Sequence, residues 1–350
     1  MMFMKKRERY RIKFILTIVF LVILIIASSA MGIANITFSQ TVNIILSRVP
    51  FVNKLISQSN ISSTHRLIIL NIRLPRIMLS ALVGAGLAIV GTAFQAIFKN
   101  PMADPYILGI SSGASLGATI AIITGAEFIF KGIGTITIFA FIGAIATTFI
   151  VYNIASVGGK VPVNILLLAG VAISFLFSSL VYLMMIFNRE QIEKIIFWTM
   201  GSVSEASFIH VLVIIPFIFI GGTIIYTFSR DLNLILTGDE TALTLGIEVE
   251  NVKKIILIVS SLIIAACVAV SGIIGFVGLI IPHILRIIVG SDHRNLLPFS
   301  AVCGAIFMIL CDTLARSLVP PMEIPVGAIT SLFGAPYFIY LLLKKKKQVN

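Results

Sequence analysis

The chain has 350 residues, of which 58% are hydrophobic and only 11% charged, with a mean hydropathy of +1.10. A water-soluble domain of this size needs far more polar surface, so the solvent is lipid and a soluble globular domain is excluded. The net charge of +12 has no soluble basic face to occupy, which removes a nucleic-acid partner, and it sits almost wholly between apolar stretches.

A helix crosses the hydrocarbon core in about 20 apolar residues at about 1.5 Å each. The runs here are continuously apolar rather than alternating, which predicts helices and not the strands of a barrel. A basic leader, 1–13, carries Lys5, Lys6, Arg7, Arg9, Arg11 and Lys13 and precedes a first span at 14–34. That apolar segment is longer than the core of a cleavable signal peptide, so it is expected to be retained. Further spans are predicted at 67–98, 106–124, 133–155, 163–187, 208–228, 253–272, 276–289, 297–315 and 327–343, the eighth being short. A basic tail, 344–350, closes the chain.

The second span opens on Asn71-Ile-Arg-Leu-Pro-Arg76. Its two arginines share roughly one helix face, aimed either at lipid headgroups by snorkelling or at acidic groups of a soluble partner. The next turn, Lys99-Asn-Pro-Met-Ala-Asp-Pro-Tyr106, is bounded by prolines that cannot continue the preceding helix. It leads into Leu108-Gly-Ile-Ser-Ser-Gly-Ala-Ser-Leu-Gly117, read either as close helix packing or as the lining of a path through Ser111 and Ser112.

Between spans six and seven, 229–252 is too polar to cross. Within it, Leu236-Thr-Gly-Asp-Glu-Thr-Ala-Leu-Thr-Leu-Gly246 follows helix rules, with Thr237 or Asp239 as cap and Gly246 as stop. Ala242 and Leu245 are expected on one face. The segment is either a solvated loop helix or one that packs into a groove on another protein. Near the end, glycines at 272, 275 and 278 predict a close-packing helical flank, and Pro282 a bend. Asp312-Thr-Leu-Ala-Arg316 places a third arginine on the face of Arg73 and Arg76, which together predict an exposed cationic docking surface.

Ten crossings put both termini on one side. That side holds seventeen of the 26 Lys and Arg residues and the other nine, which predicts cytoplasmic termini. Cys267, Cys303 and Cys311 lie in apolar spans without CxxC spacing and read as small core residues. His65, His210, His283 and His293 are dispersed, without a metal-ligand pattern. No G-x-x-x-x-G-K-[ST] loop occurs, nor a catalytic triad, carboxylate pair or metal cluster, so the chain is not expected to be an enzyme. Any ATP that drives it must be bound by a partner.

The motifs RLPR at 73–76, NPMADP at 100–105 with LGISSGASLG, GDETALTLG at 238–246, GFVGLIIPHILR at 275–286, DHRNLLP at 292–298 and LFGAPYFIYLLLK at 332–344 occur in order. Together they resemble the FecCD family, the membrane subunits of ABC importers for iron-siderophores, haem and cobalamin, over roughly 14–344. The resemblance implies an all-α polytopic fold of about ten transmembrane helices, the type II ABC importer permease architecture. It implies a second permease subunit, identical or related, with the path between the two. It also implies two ATPase subunits that hold ATP and Mg, and an extracytoplasmic substrate-binding protein; no cofactor is expected on this chain.

Carried onto this sequence, the resemblance assigns binding-protein docking to Arg73, Arg76 and Arg316. It assigns ATPase coupling to Gly238, Asp239, Glu240, Ala242, Leu245 and Gly246. Asn100, Pro101 and Met102, with Val163 and Asn164, would stand near the cytoplasmic mouth. The Val-Pro-Val-Asn at 161–164 is more apolar than the hydroxyl-rich version common in the family. Iron-siderophore is the broadest cargo expectation, then haem, then cobalamin. The competing readings are an ion-coupled secondary transporter, a membrane enzyme and a sensor. The first usually needs intramembrane carboxylates, and Asp312 is the main near-membrane example.

Overall fold

Long apolar runs leave the backbone no hydrogen-bond partner but itself, and nearly every run closes into a helix. The computed structural model describes residues 2–32, 34, 36–48, 62–125, 129–130, 132–158 and 161–349. Lys54, Lys131 and Lys160, and the side chains of Lys5, Lys6, Arg7 and Lys345 to Lys347, on which part of the charge asymmetry rests, lie outside the described residues.

The helices are α1 (Met2–Ala30), α2 (Phe38–Leu46), α3 (Ser63–Leu67), α4 (Leu74–Ile97), α5 (Ile110–Thr124), α6 (Thr135–Ala155), α7 (Val163–Phe187), α8 (Ile192–Thr199), α9 (Phe208–Thr227), α10 (Ser229–Thr237), α11 (Asp239–Thr244), α12 (Val249–Ser271), α13 (Val277–Val289), α14 (His293–Ala315) and α15 (Val326–Val349). Eight helical segments among the described residues are long and apolar enough to cross a membrane; α5 and α13 are apolar but shorter. All ten predicted spans are thus helical, in order. The predicted basic leader is not a separate element, because α1 begins at Met2.

The two short helices have local causes. Asp104 caps a 3-10 turn at Pro105–Leu108 by accepting from the Tyr106 amide at 2.8 Å, and Gly109 then turns left-handed at φ 73°, so α5 starts only at Ile110. Helix α13 has 13 residues, about 20 Å of rise, and the chain reaches it through a non-helical stretch, 272–276. The expected helical flank of Gly272, Gly275 and Gly278 is therefore not formed, since the first two precede α13.

Helix α4 is the hub. It packs on α14, α13, α9 and α12, and its span is 78% buried against 11% for the outlying α1. Small residues permit the close approach. A Cβ on Gly84 or Gly304 would collide with the other's carbonyl oxygen, and one on Gly91 with that of Gly278. The same holds for Gly113 and Gly143 between α5 and α6. The Gly/Ser run of α5 is therefore a packing seam. Ser112 is buried and donates to Gly109 O at 2.8 Å, while Ser111 is half-buried. Outward faces of α6 and α7 instead carry bare Phe149, Leu168, Phe175 and Phe187.

Candidate functional site

The polar side chains gather at opposite ends of the bundle. At one end α1 stops after Ala30 and leaves carbonyls without intrahelical partners. Upstream of α4, a π-helical turn at Ile68–Arg73 inserts one extra residue into a continuous helix just before Pro75, whose missing N–H and ring could not continue a regular ladder. The turn delivers Arg73 to the end of α1, where it donates to Ser29 O at 2.9 Å, Ala30 O at 3.0 Å and Ala34 O at 2.9 Å. Arg316, at the end of α14, donates to Met31 O at 2.7 Å and to the Ser28 carbonyl and hydroxyl at 2.5 and 2.8 Å. Two cations thus cap a helix C-terminus, where the peptide dipoles favour positive charge.

Arg76 completes the cluster. Its Nε donates to Asp312 Oδ1 at 2.8 Å, and its Nη1 to Glu323 Oε1 and Oε2 at 2.9 and 2.8 Å. Arg316 Nε lies 3.6 Å from Asp312 Oδ2. The three arginines converge as expected, but the expectation that they form an exposed docking surface is corrected: they are 5%, 6% and 5% exposed. Three buried guanidinium groups are tolerable only when paired, and Asp312, Glu323 and the α1 carbonyls supply the pairing. Glu323, with its side chain 40% exposed, is the member that reaches the surface. It also borders a cavity of about 410 Å³ lined in part by Lys194, Trp198, Ser204, Glu205 and His210.

The opposite end is organised around α11. Gly238, at φ 137°, turns the chain out of α10 and serves as the cap residue, so neither Thr237 nor the Asp239 side chain has the expected capping role; Gly246, at φ 83°, ends the turn. Ala242 is fully buried, which pins α11 to the bundle, and its carbonyl closes the turn by accepting from the Leu245 and Ile247 amides. Leu243 and Leu245 are 58% and 59% exposed, beside exposed Glu240. Ala242 and Leu245 therefore do not share a face, and the outward apolar residue that spacing missed is Leu243. Helix α10 lies in the 229–252 stretch, for which polarity excludes a crossing but specifies no helix before Leu236.

Asp239 is fixed by two lysines, with Lys99 Nζ at 2.8 Å and Lys253 Nζ at 2.7 Å. Burial alone would raise its carboxyl, but hydrogen bonds and charge from Lys253 and Lys99 outweigh this and hold it below the usual carboxylate range. The clamp therefore persists from neutral pH downwards and is lost only as pH falls through that lowered value. Next to it, Asn100 Oδ1 accepts from the Met102 amide at 2.9 Å, with Pro101 exposed and Met102 half-buried. Val163 is half-buried and Asn164 exposed at the start of α7, and the preceding Val161 amide donates to Glu250 Oε2 at 3.3 Å. The predicted turn, coupling and mouth residues thus lie at one end, joined through Lys253 and Glu250, which the motifs did not single out. Among the described residues no cluster of His, Cys, Asp and Glu could hold a metal ion.

A bundle with one buried ionic end and one end presenting a clamped apolar turn is comparable with known proteins. The family model described as the FecCD transport family matches residues 20–344. The hemin transport system permease protein HmuU of Yersinia pestis is 39% identical over 99% of both chains. The cobalamin import system permease protein BtuC of Halobacterium salinarum is 42% identical, covering 81% of this chain and 76% of its own. A solved metal-chelate type ABC transporter in an inward-facing conformation is 32% identical with a TM-score of 0.80, covering 95% of this chain and 98% of that one. These relatives are transport subunits rather than enzymes, and the chain has their all-α, multi-pass permease architecture. It belongs to the FecCD transport family, as a permease of the ABC-importer type.

Proposed function

We propose that the chain brings an iron-siderophore complex across the cytoplasmic membrane of a bacterium, together with a second permease subunit, two ATPase subunits and an extracytoplasmic binding protein. The observation that carries the ATP-driven reading is α11, a short helix anchored by Ala242 and Asp239 that exposes Leu243 and Leu245 to water. An apolar pair on a short anchored helix outside the spans is the kind of surface that seats in a groove on a cytoplasmic partner. Both termini are then cytoplasmic. Membrane lipid covers the apolar flanks, except where the second permease subunit does.

Binding-protein docking falls at the arginine end in a narrower form than the motifs imply. A carboxylate from outside reaches Arg76 only by exchange with Glu323, the exposed partner. Arg73 and Arg316 hold the end of α1 beneath it. Such charge pairs orient the encounter more than they set its strength.

A ferric siderophore is a bulky metal chelate, in keeping with the metal-chelate transporter of the same fold. Haem is the second reading, favoured by the hemin permease that aligns over nearly the whole chain. Cobalamin is the third. Uptake of labelled ferric siderophore, haem and cobalamin by cells with and without the gene decides among them. Loss of ferric siderophore uptake alone, restored by the gene, is expected; loss of haem or cobalamin uptake instead moves the cargo accordingly.

A further inference from the structure

Three segments far apart in sequence meet at the α11 end through a continuous series of polar contacts. Asp239 opens α11 and pairs with Lys253, near the start of α12, at 2.7 Å. Lys253 Nζ lies 3.7 Å from Glu250 Oε1, and Glu250 Oε2 accepts from the Val161 amide at 3.3 Å, just ahead of α7. A side branch from Asp239 to Lys99 reaches the turn after α4.

Two features separate this series from an ordinary solvated charge run. Lys253 is only 7% exposed, so its ammonium has little water to fall back on if its carboxylates leave. Lys99 closes α4 in the left-handed conformation at φ 48°, with Asn100 N bonded to Gln95 O and Lys99 N to Ala96 O. Glycine is the usual residue at that position, and a side chain there costs about 1–2 kcal/mol. The lysine that occupies it directs its charge to Asp239.

We propose that Asp239, Lys253 and Glu250 form a charged relay that carries displacement of α11 to the segment at 161–164, making Lys253 and Glu250 positioning residues for opening and closing that end of the path. The inference rests on the importer reading above. The 2.7 Å contact of Lys253 with Asp239 is a short, directional charge-assisted hydrogen bond. Glu250 is held beside Lys253 one turn away on the same helix, and separating a buried ion from its partners leaves it uncompensated. Motion of α11 therefore draws the start of α12 along, and Glu250 moves the backbone at Val161 with it.

The test uses proteoliposomes that hold the permease with its partner subunit and ATPase, supplied with loaded binding protein. Cargo taken up per ATP hydrolysed is measured for the wild type, Lys253→Met, Lys253→Arg and Glu250→Ala. Lys253→Met and Glu250→Ala should each lower the ratio about ten-fold while hydrolysis continues, within the usual range of coupling between sites. Lys253→Arg keeps the charge and should recover most of the ratio. A wild-type ratio in Glu250→Ala, whose half-exposed side chain can be removed without opening the core, overturns the relay even where Lys253→Met fails to assemble. Wild-type vesicles that do not couple uptake to ATP overturn the importer reading instead.

Discussion

Arg76 holds one guanidinium between two carboxylates of unequal burial, and the two should answer substitution differently. Asp312 is fully buried and touches both Arg76 and Arg316. Asp312→Ala leaves two buried cations short of a partner and should destabilise the protein by about 3–5 kcal/mol, read as a lowered unfolding midpoint in detergent. Glu323 is half-exposed, so Glu323→Gln should cost less than about 1 kcal/mol. By freeing Arg76, it should also tighten association with an acidic binding protein. An unchanged midpoint in Asp312→Ala would remove the cluster's structural role, and weaker association in Glu323→Gln would remove the exchange.

At the scale of the element, α11 joins an inward anchor to an outward apolar pair. Leu243→Glu with Leu245→Glu changes only exposed positions, so membrane insertion and yield should hold while co-purification of the ATPase falls at least about ten-fold, the loss of about 1.4 kcal/mol of binding. Undiminished co-purification would take the docking role away from this turn. The existence of α11 was legible because a polar stretch between two spans carried acidic residues at its start and a glycine at its end. Its orientation was not. Six residues make less than two turns, too short for spacing to fix a face, and Ala242 is turned inward by tertiary packing, which leaves it fully buried. Leu243 was passed over for the same reason.

Across the whole molecule, the ten apolar runs could be read directly because lipid forces each into a helix, and α7 occupies the predicted 163–187. The segments that the family motifs mark gather at two ends, Arg73, Arg76 and Arg316 at one and the stretches at 99–102, 161–164 and 238–246 at the other. Burial was the hidden quantity. From position alone an arginine at a span end reads as snorkelling or docking, whereas here the end of α1, Asp312 and Glu323 enclose all three. Those partners lie up to 288 residues away in sequence, and no local spacing announces them. The contact of Glu250 with Val161, 89 residues away, was hidden in the same way, whereas Lys253 meets Asp239 only 14 residues away and was passed over because it lies outside the quoted motifs. Asp312 itself is committed to arginines, which accounts for an intramembrane carboxylate without an ion-coupled cycle.

The measurement that bears most directly on the account is the energy source of transport in proteoliposomes containing the permease with its proposed partner subunits, with loaded binding protein outside. Uptake of labelled cargo should require ATP within the ATPase compartment and persist when proton and sodium gradients are collapsed. Uptake that continues without ATP and disappears with the gradients would contradict the account and make the chain an ion-coupled transporter.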